Sequence, residues 1–224
     1  MKRWSLFIAS FVVMLGTGLF AQTVEFLPEI DTYVKINSNS RFAFQAKQTR
    51  EGGEPTQGEI GPSMDFYWRP FKGFDEHPDE TKTRFMLLSF GYRYMPTKNE
   101  PATNRVLMVL TPQFPLFHSK FVLSDRNRGE LNFSNGDLTW RYRNRLRIER
   151  EITIGSYHPR PYASVEPFYD SKYQKWSSTE IEVGSEFPIQ RHAAMELYYQ
   201  HENNTGKAPN QQVNGIGLIL NLYF

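Results

Sequence analysis

The stretch that decides the fold is LTWRYRNRLRIER, which runs from Leu138 to Arg150. Successive side chains of a β-strand point to opposite sides, so at a period of two residues this stretch divides into two faces. One face is nearly all apolar or aromatic and carries Leu138, Trp140, Tyr142, Asn144, Leu146 and Ile148. The other face carries Thr139, Arg141, Arg143, Arg145, Arg147 and Glu149. Helical spacing would scatter the arginines around a cylinder, so the pattern predicts a strand with one basic side.

Two environments suit such a strand. A soluble sheet would bury the apolar face and expose the arginines, whereas an outer-membrane barrel would turn the apolar face to lipid and the arginines to the lumen. Aromatic residues near strand ends favour the barrel, because they are typical of interfacial girdles. The last strand favours it as well, since Ile216, Leu218, Leu220, Leu222 and Phe224 share one face.

Alternating segments separated by turn residues continue along the chain from Pro28, and Asn135-Gly136 is a strong hairpin signal. The run VLMVL (Val106–Leu110) shows no alternation, and a turn is expected at Pro112–Pro115. We find no convincing amphipathic helix. The sequence therefore predicts an all-β fold: an antiparallel transmembrane up-and-down β-barrel of about ten to twelve strands with a charged lumen. About eleven segments qualify as strands, whereas single-chain bacterial barrels have an even number. Either one segment is misread or the N-terminus threads back through the lumen, so ten or twelve strands are expected.

The N-terminus has the pattern of an export signal. Lys2 and Arg3 precede an apolar run from Leu6 to Leu15, and cleavage is expected after Ala21. This predicts a signal peptide over residues 1–21 and a barrel over residues 22–224. The chain has 26 Lys and Arg against 24 Asp and Glu, so removing Lys2 and Arg3 leaves 24 of each. A neutral mature chain gives no argument for nucleic acid, and the absence of cysteine excludes disulfides.

The chain contains the motifs FGYRY (Phe90–Tyr94), SDRNRGELNF (Ser124–Phe133), the Leu138–Arg150 stretch, RPYASVEPFYD (Arg160–Asp170) and a terminal aromatic. With these motifs it resembles the domain-of-unknown-function 2490 family of bacterial outer-membrane barrels. The resemblance implies an outer-membrane location, contact with outer-membrane lipid and recognition of Phe224 by the barrel-assembly machinery. It implies no activity and no catalytic residues.

If the apolar faces meet lipid, the opposite faces line the lumen. The lumen-lining candidates are Arg126, Arg128, Arg141, Arg143, Arg145, Arg147, Glu166, Glu180, Glu182 and Glu196. One interpretation is a plugged structural barrel, in which paired arginines and carboxylates fill the interior. The other is a narrow channel for small polar solutes, with Arg141, Arg143, Arg145, Glu180 and Glu182 at the constriction.

A third alternative is a lipid-modifying outer-membrane enzyme, which needs an activated nucleophile and a base. The pairs His118-Ser119 and Ser156-Tyr157-His158 come nearest, but both lie in expected turns. No metal-ligand spacing, glycine-rich phosphate loop or nucleotide fingerprint is present. The sequence therefore predicts no enzyme activity, metal or cofactor, and it does not predict an oligomeric state.

Overall fold

Strands make up most of the chain. A computed structural model describes residues 23–71, 78–116, 120–206 and 209–224. The strands are β1 (Thr23–Asn37), β2 (Ser40–Glu51), β3 (Glu54–Pro70), β4 (Arg84–Thr97), β5 (Glu100–Leu116), β6 (Phe121–Ser134), β7 (Asp137–Arg150), β8 (Arg160–Asp170), β9 (Lys175–Gln190), β10 (Ala193–Asn204) and β11 (Gln211–Tyr223). A short 3-10 turn, Glu80–Thr83, precedes β4. The all-β prediction is confirmed, whereas the predicted signal peptide lies outside the described residues.

The strands close into one barrel, in which each strand pairs with its neighbours in sequence and β1 pairs with β11. The sequential pairs are all antiparallel. The β1–β11 pair, which we call the seam, is parallel, with Thr23 opposite Val213 and Tyr33 opposite Tyr223. Its hydrogen bonds continue to Phe224, whose backbone N donates to the Tyr33 carbonyl at 2.8 Å.

The parallel seam explains the strand number. Eleven strands lie within the predicted range of ten to twelve, but the expectation of an even number is wrong. A barrel closed only by antiparallel pairs needs an even number, because neighbours must alternate in direction around the ring. One parallel pair removes that requirement, so residues 23–37 form a wall strand and do not thread the lumen.

Strand direction decides which loops share an end of the barrel. β1 and β11 both finish at what we call the C-terminal end, together with the turn between β1 and β2 and segments 78–83 and 151–159. Tight hairpins lie at the opposite end, where Asn135 and Gly136 have φ angles of 51° and 87°. Positive φ at both central residues suits the type I′ turn that Asn-Gly favours, and this predicted hairpin is confirmed.

β5 departs from the sequence interpretation in two ways. The expected turn at Pro112–Pro115 is wrong, because β5 continues through both prolines to Leu116. A proline removes one backbone donor from the ladder without ending the strand. The run VLMVL lacks alternation because its inward residues are apolar as well, and inward Leu107 is 4% exposed.

The two faces of the barrel have opposite character. Apolar side chains project outward from every strand; Phe90, Trp140 and Ile181, for example, are 46%, 47% and 49% exposed. Among the described residues that are buried, 28 are polar or charged and 12 are hydrophobic. A water-soluble domain buries chiefly apolar side chains, so the distribution is inverted relative to a soluble protein. No helix in the described ranges is long and apolar enough to cross a membrane.

The interior beside the seam is packed with rings and aliphatic groups. Leu27, Tyr162 and Tyr198 are buried together, with Ile219 against them; we call these four residues the seam cluster. Gly217 stands opposite Tyr198 in the ladder. A Cβ at position 217 would overlap the phenol ring of Tyr198, so glycine there makes room for the inward tyrosine.

Candidate functional site in the lumen

The ten predicted lumen residues lie on the inner faces of five neighbouring strands, β6 to β10, which we call the arginine sector. The alternating burial of β8, whose inward residues from Arg160 to Asp170 are buried, shows the same division of faces. The members of the sector are Arg126 and Arg128 of β6, Arg141, Arg143, Arg145 and Arg147 of β7, Glu166 of β8, Glu180 and Glu182 of β9, and Glu196 of β10.

Glu166 is the centre of the arginine sector. Its side chain is 1% exposed and accepts hydrogen bonds from three guanidinium groups. The distances are 2.9 Å from Arg126 Nη2, 2.9 Å from Arg143 Nη2 and 2.8 Å from Arg145 Nε. Charge-assisted bonds of this kind are stronger than neutral ones, but three cations on one carboxylate leave an excess of positive charge.

Two further carboxylates offset that excess. Arg145 Nη2 lies 2.9 Å from Glu180 Oε1, and Arg145 Nη1 lies 3.0 Å from Glu182 Oε2. Ladder pairing sets this arrangement, because Glu180 stands opposite Glu166 in the β8–β9 register. Around Glu166 the network therefore contains three arginines and three glutamates, and it is neutral when all are ionised.

A second network crosses the lumen from β6 to β3. Glu130 lies 2.6 Å from Arg128 Nε and 3.3 Å from Arg105 Nε. Arg105 and Arg128 also approach Glu59 of β3, at 3.6 and 3.8 Å, and so does Arg93, at 3.7 Å. Because β4 and β5 separate β3 from β6 in the wall, the Arg128–Glu59 contact spans the interior.

Other pairs extend the arginine sector towards the two ends of the barrel. Near the opposite end, Arg141 Nη2 lies 2.8 Å from Asp170 Oδ2. Towards the C-terminal end, Arg147 Nη1 lies 3.4 Å from Glu196 Oε1. The guanidinium carbon of Arg147 also stacks 3.5 Å from the ring centroid of Tyr162, which links the arginine sector to the seam cluster.

A turn formed by residues 79–83, which we call the mouth turn, folds into the C-terminal end. Asp79 caps the 3-10 turn, because its Oδ1 accepts from the backbone N of Thr81 at 2.9 Å. The same oxygen accepts from Arg41 Nη1 of β2 at 2.6 Å. Asp79 and Thr81 are 8% and 4% exposed, so the turn is enclosed by the barrel.

The mouth turn also reaches strands on other sides of the barrel. Gln113 Nε2 of β5 donates to the Thr81 carbonyl at 2.9 Å. Lys82 Nζ lies 2.9 Å from Glu149 Oε2 of β7 and 3.7 Å from Glu186 Oε2 of β9. Contacts to β2, β5, β7 and β9 place the turn across the C-terminal mouth.

Two cavities remain in this region. An inner cavity of about 280 Å³ is bordered by arginines of β6 and β7 and by carboxylates from several strands. At roughly 30 Å³ per liquid water it has room for about nine water molecules. A larger cavity of about 1120 Å³ opens at the C-terminal end. Tyr33 and Tyr223 border both cavities, and their stacked rings, with centroids 5.1 Å apart, lie between them.

The Ser/His pairs considered for catalysis lie in two different parts of the chain. The pair His118-Ser119 lies outside the described residues. His158 Nδ1 lies 3.5 Å from Thr153 Oγ1 and 4.0 Å from Glu151 Oε1. In a catalytic triad the hydroxyl and the carboxylate engage opposite ring nitrogens, whereas here both face Nδ1. Within the described ranges no cluster of His, Asp or Glu could hold a metal ion.

The fold and the lumen together define the class of protein as a closed β-barrel with an apolar exterior and an ion-paired interior. Residues 80–213 match the family described as "Protein of unknown function (DUF2490)", and the chain belongs to that family. The predicted resemblance is therefore confirmed. No curated protein matches the chain.

Sequence reasoning missed several charged members of the lumen. Glu59, Arg93, Arg105 and Lys82 lie in the networks, although none stands in a run of like residues. On β3 and β4 the sequence indicates an inward position only by a single charged residue opposite an aromatic face. Arg93, between Tyr92 and Tyr94, is an example. Lys82 belongs to a loop without periodicity, so only the fold brings it to Glu149.

Proposed function

We propose that this protein is an outer-membrane β-barrel whose lumen is closed by ion pairs and by the mouth turn, and that it serves as a structural protein of the cell envelope. The observation that carries the proposal is the inverted distribution of residues, apolar outside and charged inside, in a closed barrel. Water does not favour an exposed apolar belt around a whole domain, whereas the lipid-facing side of a membrane barrel requires one.

Closure of the lumen is supported by its geometry. Glu166, Glu130 and Glu59 each contact two or more arginines, which satisfies charges that are costly to bury alone. The mouth turn adds a second obstruction, because it is bonded to strands on several sides of the C-terminal end. A barrel of this strand number lies between those filled by side chains and those with an open channel.

A narrow channel for small polar solutes is the second candidate. The inner cavity and the cavity at the C-terminal end favour it, since among the described residues the Tyr33–Tyr223 pair and the mouth turn lie between them. Arg145 and Glu182 border this path and would select among charged solutes. The lipid-modifying enzyme stays an alternative to both, and recognition of Phe224 by the assembly machinery stays a prediction.

Fractionation and gel migration test the membrane barrel. We expect the protein in outer-membrane fractions, migrating faster before boiling than after. Recovery as a soluble periplasmic protein without a heat-dependent shift would overturn the proposal.

Planar-bilayer recordings then separate a closed barrel from a channel. We expect no conductance steps from the native chain and steps from the triple variant Asp79→Ala/Lys82→Ala/Glu166→Gln, because anchors of the mouth turn and the centre of the ion-paired network are then lost together. Conductance steps from the native chain, with an ion selectivity that Glu182→Gln alters, would overturn the proposal of a closed barrel and support the channel. The exposed-pair variant Glu54→Gln is the matched control.

A further inference from the structure

The outward face of β6 and β7 carries a polar cluster in the middle of both strands. Asp125 and Asn127 of β6 and Asn144 of β7 point outward, since Arg126, Arg128, Arg143 and Arg145 on either side of them point into the lumen. Apolar residues flank the cluster along β6, with Leu123 on one side and Leu131 on the other. Among the outward residues in the middle of the eleven described strands, these three are the ones that carry a carboxylate or a carboxamide.

Hydrogen bonds hold the cluster together. Asn144 Nδ2 donates to Asp125 Oδ1 at 2.6 Å and to Asn127 Oδ1 at 3.1 Å. Tyr142 donates its hydroxyl proton to Asn127 Oδ1 at 2.5 Å. Asn127 Nδ2 also donates to the Asp125 backbone carbonyl at 3.3 Å. Within the described residues, these bonds leave the Asn144 amide oxygen, one proton of the Asn127 amide and one Asp125 carboxylate oxygen for another partner. In the proposed membrane, acyl chains offer no donor or acceptor at this depth, and headgroups lie at the edges of the belt.

A second copy of the chain offers matching groups at the same depth. Two barrels inserted the same way up are related by a two-fold axis along the membrane normal, which brings β6 of one copy against β7 of the other. Asn127 and Asn144 are register partners, so Asn127 of each copy then faces Asn144 of the other. An amide both donates and accepts, so the pairing is self-complementary, as an isologous interface requires. Asp125 then lies diagonal to the second copy's Asn144 amide.

The neighbouring ladder position fits the same arrangement. Gly129 stands opposite Tyr142, and a Cβ at position 129 would meet nothing within 4 Å. The outer surface therefore has a notch beside a projecting ring. The two-fold axis places Tyr142 of the second copy over that notch, so the shapes match as well as the hydrogen bonds.

We propose that the outward faces of β6 and β7 form a self-association surface, through which two copies pair in the membrane by hydrogen bonds among Asp125, Asn127 and Asn144. The proposal rests on the membrane barrel proposed above. Side-chain hydrogen bonds between transmembrane helices have modest strength. We expect the same strength between the side chains of two barrels, so the pairing is reversible.

Cross-linking of single-cysteine variants tests the surface, because the chain contains no cysteine of its own. Leu131→Cys places a thiol beside the cluster, and Ile30→Cys places one on β1, across the barrel. After reconstitution of the full chain in phospholipid vesicles, we expect a short bis-maleimide to join two copies of Leu131→Cys but not of Ile30→Cys. Equal cross-linking at both positions, or at neither, would overturn the proposal.

A triple variant tests the hydrogen bonds themselves. Asp125→Leu/Asn127→Leu/Asn144→Leu turns the cluster into ordinary lipid-facing surface, so we expect normal insertion and at least a roughly tenfold loss of the dimer signal. Thr32→Leu, an outward hydroxyl on β1, is the matched control and should leave the signal unchanged. Undiminished dimers of the triple variant would refute the role of the cluster, as would exclusive cross-links to a different outer-membrane protein in cells. Failure of the native chain to insert would instead overturn the membrane barrel.

Discussion

Two sectors of the same lumen are filled in different ways. In the arginine sector, Glu166 is surrounded by three guanidinium groups, and each partner compensates the charge of another. In the seam cluster, Leu27 and Tyr198 pack together against β11, where Gly217 leaves space for the ring of Tyr198. The packing of the arginine sector depends on the charge and orientation of its side chains, whereas the packing of the seam cluster depends on side-chain volume. Substitutions on the two sides of one barrel should therefore change its stability through different physical interactions.

Neutralising the centre of the arginine sector should have the largest effect. Glu166→Gln keeps the size of the side chain but leaves Arg126, Arg143 and Arg145 short of one negative charge. Removing one member of a buried ion network costs about 3–5 kcal/mol, to be measured by urea unfolding of the lipid-reconstituted protein. Glu54→Gln is the control, since the exposed Lys98–Glu54 pair, at 3.8 Å, should contribute less than about 1 kcal/mol. Equal losses from the two variants would show that the lumen charges are solvated rather than paired.

Overfilling the seam should have an intermediate effect. Gly217→Val places a branched side chain where the ring of Tyr198 lies, and overpacking of this kind costs about 1–3 kcal/mol. The heat-dependent gel shift and urea unfolding, both in detergent, measure the loss of closed barrel. Gly129→Val is the control, because a Cβ at that outward glycine meets nothing within 4 Å. If both variants fold equally well, the seam does not require glycine at position 217.

Removing one ring at the C-terminal end of the seam should have the smallest effect. Tyr33 stacks on Tyr223 with an interplanar angle of 12°, and Arg41 lies 3.9 Å from the Tyr33 ring centroid. Tyr33→Leu keeps apolar bulk but loses the stacking, which is worth about 0.5–1.5 kcal/mol in the same unfolding measurement. Phe44→Leu, an outward substitution on β2, is the control; a larger loss from it would contradict the assignment of inner and outer faces.

Most of the arginine sector could be predicted from the sequence, because period-two alternation records which side of a strand a residue faces. Arg141 to Arg147 and Glu180 to Glu182 are such runs. Alternation carries no information about which strands meet, however, so the contact of Arg128 with Glu59 could not be predicted. The mouth turn has no periodicity at all. Asn144 is the one exception in an otherwise apolar face of β7, and the sequence does not show that the register places it beside Asn127.

The parallel seam has a consequence for how the chain acquires its shape. Each antiparallel neighbour pair joins strands that a single connection links, so the pairs can form one after another along the chain. The seam instead joins Thr23 to Val213, about 190 residues apart. Closing a loop of that length, compared with a four-residue turn, costs roughly 3 kcal/mol more in chain entropy. Pairing of this high contact order is slow, so we infer that an open, ten-pair sheet precedes the barrel and that β1 and β11 are the last edges to meet.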